Sequence, residues 1–201
     1  MRTLRPLAAA LAAAGFVAVP NPAFADVDLY ALCAGGPFPP PGVNNCDPGS
    51  VTLTGSCTIR VPVNEDFQIA NCGVDAAGYS MTIKGSGTSK LTLFNHSITN
   101  AAKFELNFGN GHGNLCDDGA ISVGWRISAD KVDIHANGGI SVGLPEGGGV
   151  GVLADSISVK SKFGDICVTL GFDTFPGLQA DKIEVKSDFG STKIIGPPLP
   201  P

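Results

Sequence analysis

Apolar and polar residues alternate along the last third of the chain, and the alternation recurs. Val132-Asp133-Ile134-His135 is followed by Ile157-Ser158-Val159-Lys160 and then by Ile183-Glu184-Val185-Lys186. A period of two puts apolar side chains on one face of an extended strand and polar ones on the other. Each stretch therefore predicts a half-buried strand. Gly138, Gly164 and Gly190 come next, 26 residues apart each time. Behind them stand further apolar pairs, Ile140 and Val142 and then Ile166 and Val168, with Thr192 and Ile194 in the equivalent places of the third copy. The glycine is expected to turn the chain from one strand into the next.

Weaker copies lie upstream. Phe104 and Leu106, and before them Met81 and Ile83, take the places of Val132 and Ile134. "GAISVG" at 119–124 matches "GISVG" at 139–143, and "KLTLF" at 90–94 reads as an earlier second strand. First-strand positions 81, 104, 132, 157 and 183 are spaced by 23, 28, 25 and 26 residues. The core register repeats, and glycine-rich loops at 109–119 and 144–149 absorb the differences.

One such repeat cannot bury its apolar face alone. Stacked repeats, with strands about 4.8 Å apart, pair their backbones and align equivalent side chains in ladders. Val132, Ile157 and Ile183 would form one ladder, and Phe163 and Phe189 would stack in another. The reading is an all-β, single-domain parallel β-solenoid of five or six coils over 51–195, with three strands per coil. An antiparallel β-sandwich is the competing architecture, but it gives no reason for a 26-residue repeat.

The flanking segments set the compartment. Arg2 and Arg5 precede an uncharged apolar run from Leu7 to Val19, and Ala23-Phe24-Ala25 follows. This is the pattern of a signal peptide over 1–25, cleaved after Ala25. The run is too short to cross a hydrocarbon core of about 30 Å, so no membrane span is expected in the mature chain. Export to the periplasm, the cell surface or the extracellular space follows. Residues 26–50 hold Cys33, Cys46 and a run of prolines, and read as a cap outside the coils. Residues 196–201 form a proline-rich tail, and proline cannot donate to a further β ladder.

Six cysteines, Cys33, Cys46, Cys57, Cys72, Cys116 and Cys167, all follow the signal segment. In an exported chain an even number reads as disulfides. Sequence proximity favours Cys33–Cys46 and Cys57–Cys72, leaving Cys116–Cys167. Close C-x-x-C pairs that would mark zinc or haem attachment do not occur in the sequence. Loss of Arg2 and Arg5 takes the net charge from −5 to −7. An acidic chain with no basic stripe visible in its sequence is a poor match for nucleic acid.

"ADSISVKSKFGDICV" (154–168) and "ADKIEVKSDFGSTKI" (180–194) resemble the "ADKVEVKT-x-x-GDIEL"-type repeats of bacterial adhesin domains, within the right-handed parallel β-helix group of secreted proteins. The resemblance covers about the last 65 residues clearly and about 145 loosely. It implies a surface-associated or extracellular role and carries no catalytic residue across. The cysteines depart from it.

Chemistry has one candidate segment, 109–128. It holds His112 between two glycines, the pair Asp117-Asp118, and Arg126. These pieces are similar to those of polygalacturonases, which are β-helix enzymes. There, however, the acidic pair precedes the Gly-His-Gly and lies on a different coil. Paired carboxylates of an inverting glycosidase stand about 6.5–9.5 Å apart, and one crowded loop does not provide that. Asn110, His112, Asn114, Asp117 and Asp118 also offer cation ligands, without the spacing of a calcium loop. Tyr79 and Trp125 are candidates for stacking on sugars, while His96 and His135 stand alone. No nucleophile elbow or phosphate loop is present in the sequence, and no cofactor is implied. The expected function is a non-enzymatic structural or adhesin-like scaffold facing a polysaccharide, a cell-surface component or another copy of itself. A polysaccharide lyase or hydrolase built on His112, Asp117, Asp118 and Arg126 is the alternative.

Overall fold

The computed structural model describes residues 25–38, 42–46, 49–109, 115, 119–143, 152–169 and 178–195. Nearly all of the signal segment, the tail 196–201, and His112, Cys116, Asp117 and Asp118 lie outside them, as do Asn110 and Asn114. The elements run β1 (Ala25–Val27), α1 (Leu29–Cys33), β2 (Gly42–Cys46), β3 (Ser50–Thr52), β4 (Cys57–Arg60), β5 (Asp66–Ala70), β6 (Gly73–Asp75) and β7 (Ser80–Gly85). They continue through β8 (Lys90–Phe108), β9 (Ile121–Ala136), β10 (Ile140–Val142), β11 (Val152–Ser161), β12 (Ile166–Thr169), β13 (Leu178–Ser187) and β14 (Thr192–Ile195).

Every strand pairing among these residues is parallel. That excludes the antiparallel sandwich and gives a β-solenoid of about five turns with three faces. Face A stacks β4, β7 and the final segments of β8, β9, β11 and β13. Face B stacks β1, β2, β5, the starts of β8 and β9, then β10, β12 and β14. Face C stacks β3, β6, the middles of β8 and β9, and the first residues of β11 and β13. β8 and β9 each pass through all three faces, and their mutual register slips between Phe94 and His96 and between Ile98 and Ala101, at the corners.

The interior consists of the expected ladders. On face A, Cys57, Met81, Phe104, Val132 and Ile157 are buried in register. Beside them run Ile59, Ile83, Leu106, Ile134 and Val159, each with no exposed surface. Face B contributes Phe67, Leu91, Ile121, Ile140 and Ile166, and face C Val51, Val74, Ile98, Ile127 and Val152. Burying one such side chain is worth about 1.5–3 kcal/mol, so the ladder supplies the stability that a single coil lacks. Phe163 and Phe189 stack with centroids 5.6 Å apart.

The repeated glycines serve a purpose other than the expected one. Gly164 and Gly190 are not in the left-handed region, so turning is not what requires them. Each instead lies directly on the turn of the coil below. A Cβ on Gly164 would land on backbone atoms of Gly138 and Gly139, and one on Gly190 on the Gly164 carbonyl. Serine locks the same turn: the Ser161 hydroxyl donates to the Gly138 carbonyl at 2.9 Å and accepts from the Gly164 N–H at 2.9 Å. Ser187 repeats this with Gly164 and Gly190, both at 2.8 Å.

The N-terminal segment and the cysteines also correct the sequence reading. Gly42–Cys46 lies within the segment read as a cap outside the coils, yet it is a strand in register with β5. Among the described residues β1 and α1 sit beyond the first coil; Leu29 and Leu32 are buried there, and the Tyr30 hydroxyl donates to the Thr52 carbonyl at 2.7 Å. The disulfides are Cys33–Cys57 and Cys46–Cys72, separated by 24 and 26 residues, not the sequence-local pairs Cys33–Cys46 and Cys57–Cys72. The solenoid explains this. Residues one coil apart lie above one another, with Cα–Cα distances of 4.8 and 5.2 Å, inside disulfide reach. Cys167 is disulfide-bonded too; the partner expected for it, Cys116, lies outside the described residues.

Candidate interaction face

Outward positions repeat as faithfully as inward ones, so each face carries polar columns parallel to the solenoid axis. Face A has three. Ser80, Lys103, Lys131, Ser156 and Lys182 form the first. Thr58, Thr82, Glu105, Asp133, Ser158 and Glu184 form the second, and Arg60, Lys84, Asn107, His135, Lys160 and Lys186 the third. The chain thus has a basic column despite its net acidity. The sequence reading, which found no basic stripe, is corrected on this point: the cations lie one coil apart in sequence and become neighbours only on folding.

Ion pairs tie the columns together. Lys103 Nζ lies 2.8 Å from Glu105 and 3.1 Å from Asp133, and Lys131 Nζ is 3.1 Å from the same Asp133 oxygen. Asp133 is almost buried. Its desolvation, the largest single effect, favours the neutral acid, but Lys131 and Lys103 together outweigh it and hold the carboxyl below its ordinary range. Glu105 is lowered by its bond from Lys103, and Lys103 is raised by the same bond. Toward the C-terminal end, Lys160 pairs with Glu184 at 2.9 Å and Lys186 with Asp188 at 2.8 Å. Lys160 lowers the Glu184 pKa, and the Lys186–Asp188 bond raises the lysine and lowers the acid.

Two open depressions border this face. One, of about 370 Å³, lies along the third column and is lined by Asn107, His135, Lys160, Lys162, Glu184, Lys186 and Asp188. The other, of about 480 Å³, follows the corner between faces C and A. Asp130, Asp155 and Asp181, one from each of three successive coils, line it together with Asn100, Ser128 and Gln179.

Of the sequence-predicted catalytic-site residues, Arg126 alone lies among the described residues. Arg126 is exposed on β9, in register with Ser97 of β8, while His112, Asp117 and Asp118 lie outside the described residues. His135, read as solitary, belongs to the basic column. Tyr79 is exposed beside β7, and the backbone of Trp125 pairs with that of His96 between β9 and β8. Among the described residues no group of three His, Cys, Asp or Glu side chains is placed to hold a metal ion, and no helix is long and apolar enough to cross a membrane. The 26-residue period was the signal that would have found Arg60, Lys84, Lys103 and Lys131, once extended to outward positions. Comparison with protein-family models, curated proteins and solved structures gives no match to this chain.

Proposed function

We propose that the protein is an exported, non-enzymatic structural or adhesin-like scaffold whose face A binds an anionic polysaccharide or cell-surface polymer. One observation carries the reading: a parallel sheet holds charged side chains in register, coil upon coil, above a buried ladder. A polymer lying along the axis meets Arg60, Lys84, His135, Lys160 or Lys186 at nearly every rung. Because the paired backbone fixes where each of those side chains starts, less ordering is needed on binding, which lowers the cost of association. The resemblance of 154–168 and 180–194 to adhesin repeats supports a surface role, and the disulfides are compatible with an oxidising compartment.

The test exposes the exported protein to acidic and neutral polysaccharides, with and without a chelator, and reads retention and new sugar ends together. Retention on acidic polymers that weakens with salt, and that is lost in Lys84→Glu and Arg60→Glu, is the expected result. New sugar ends would overturn the scaffold reading in favour of a lyase or hydrolase. Retention unchanged by both substitutions would remove face A as the site.

A further inference from the structure

The two ends of the solenoid differ. At the first coil, Cys57 and Ile59 are buried, with β1 and α1 beyond them and Cys33–Cys57 holding α1 in place. At the last coil the Cys57 column ends in Ile183, 46% exposed, and the Ile59 column in half-buried Val185, while Ile194 at the end of face B is 68% exposed and Phe189 in the turn after β13 is 74% exposed. Among the described residues β13 pairs only with β11, and β14 only with β12. The outer edge of a sheet and the end of its apolar ladder are therefore presented together.

We propose that this end is the interface of a two-fold, tail-to-tail dimer, in which β13 pairs antiparallel with β13 of a second copy, centred on Val185. Charge carries the choice of occupant. Outward along β13 and just past it stand Lys182, Glu184, Lys186 and Asp188, alternating in sign. An antiparallel copy centred on Val185 sets Glu184 against the second copy's Lys186 and Lys182 against its Asp188. The two-fold repeats both contacts. Moving the centre to Glu184 sets Glu184 against itself and Lys182 against Lys186, so like charges select the register.

Backbone direction agrees. The Asp188 N–H bonds back to the Ser161 carbonyl of the coil below, at 3.0 Å. Successive N–H groups of a strand point to opposite sides, so those of Ile183, Val185 and Ser187 point away from β11. At the first rung Val61, of the same inward parity, donates to Lys84 of the next coil. Centring on Val185 makes these outward-pointing residues the hydrogen-bonded pairs. The helical rise agrees as well. A two-fold axis through the middle of face A exchanges faces B and C. Among the described residues β14 is the last rung on face B and 178–180, reached earlier in the same coil, the last on face C; the two-fold sets each over the other, so all three faces keep one strand spacing. An isologous contact of this kind closes at two copies.

This inference does not depend on what face A binds. The full exported chain is measured by sedimentation over a range of concentrations. The wild type is expected to dimerise and stop there. Val185→Pro removes an N–H that points away from β11, so it leaves the monomer's own ladder intact and is expected to give folded monomer, checked by circular dichroism. Glu184→Lys is expected to weaken the dimer about tenfold, and adding Lys186→Glu to restore it by exchanging the charges of one pair. A wild type that stays monomeric, one that grows into filaments, a Val185→Pro dimer as tight as wild type, or a charge-exchanged double variant no tighter than Glu184→Lys would each overturn the proposal.

Discussion

Gly164→Ala tests whether the repeated glycines exist for close stacking or for turning. The added methyl group falls on main-chain atoms of Gly138 and Gly139, which belong to the coil below and cannot rotate aside. The coils must separate locally. Overpacking of this sort costs about 1–3 kcal/mol. The same movement stretches the two Ser161 bonds, to the Gly138 carbonyl and from the Gly164 N–H, each worth about 0.5–1.5 kcal/mol. A loss of about 3 kcal/mol is expected, which for a chain of this size lowers the melting temperature by roughly 6–12 °C. Gly55→Ala is the matched control. Gly55 has nothing within 4 Å of a new Cβ and is not in the left-handed region, so it should be neutral or stabilised by up to about 1 kcal/mol. Both variants are compared with wild type by urea unfolding and thermal melting. If Gly164→Ala melts with Gly55→Ala, the coils do not stack as closely as described and the account of the repeat fails.

Three further results are expected. Peptide mapping without reduction should join Cys33 to Cys57 and Cys46 to Cys72, and removing the second bridge by Cys→Ser changes should cost about 2–4 kcal/mol. Ile134→Ala, at a fully buried rung between Leu106 and Val159, should cost about 2–5 kcal/mol in urea unfolding, and a value below 1 would contradict the ladder. The Asp133 carboxyl is held below its ordinary value of 3.8, so its pairs with Lys131 and Lys103 stabilise the fold above that pH and are lost as pH falls through the lowered value. The wild type should therefore lose more stability on acidification than Asp133→Asn, and equal acid sensitivity would refute the pairing.

How much of this was legible in the sequence follows from what each part depends on. Inward positions are constrained at every coil, so Val132, Ile157 and Ile183 announce themselves by type as well as spacing. The register of face A at 81, 104, 132, 157 and 183 was readable for the same reason. Cysteine pairing was not, because short sequence separation is a poor guide in a fold where the nearest neighbour is one coil away. The purpose of Gly164 was hidden too: a glycine that turns and a glycine that makes room look identical in sequence. The basic column escaped because outward positions vary in type. Arg60, Lys84, Asn107 and His135 share a column without sharing a chemistry.

That freedom at outward positions gives the last rung its significance. On β13 the outward residues are Lys182, Glu184 and Lys186, the order that Lys131, Asp133 and His135 carry two coils below, with Ser156, Ser158 and Lys160 between. Burial of the ladder does not demand these charges, although Glu184 also pairs with Lys160 of the coil below and Lys186 with Asp188. A terminal strand does demand something, because its open edge is a template for any other strand. Charge of a single sign would repel every copy. Alternating sign is selective. Head-to-tail growth would meet α1 and β1 before it met β4. Tail-to-tail pairing about Val185 places Lys182, Glu184, Lys186 and Asp188 each opposite its complement. The pattern on the edge thus argues against a fibre and for closure at two, leaving face A of both copies open along its length.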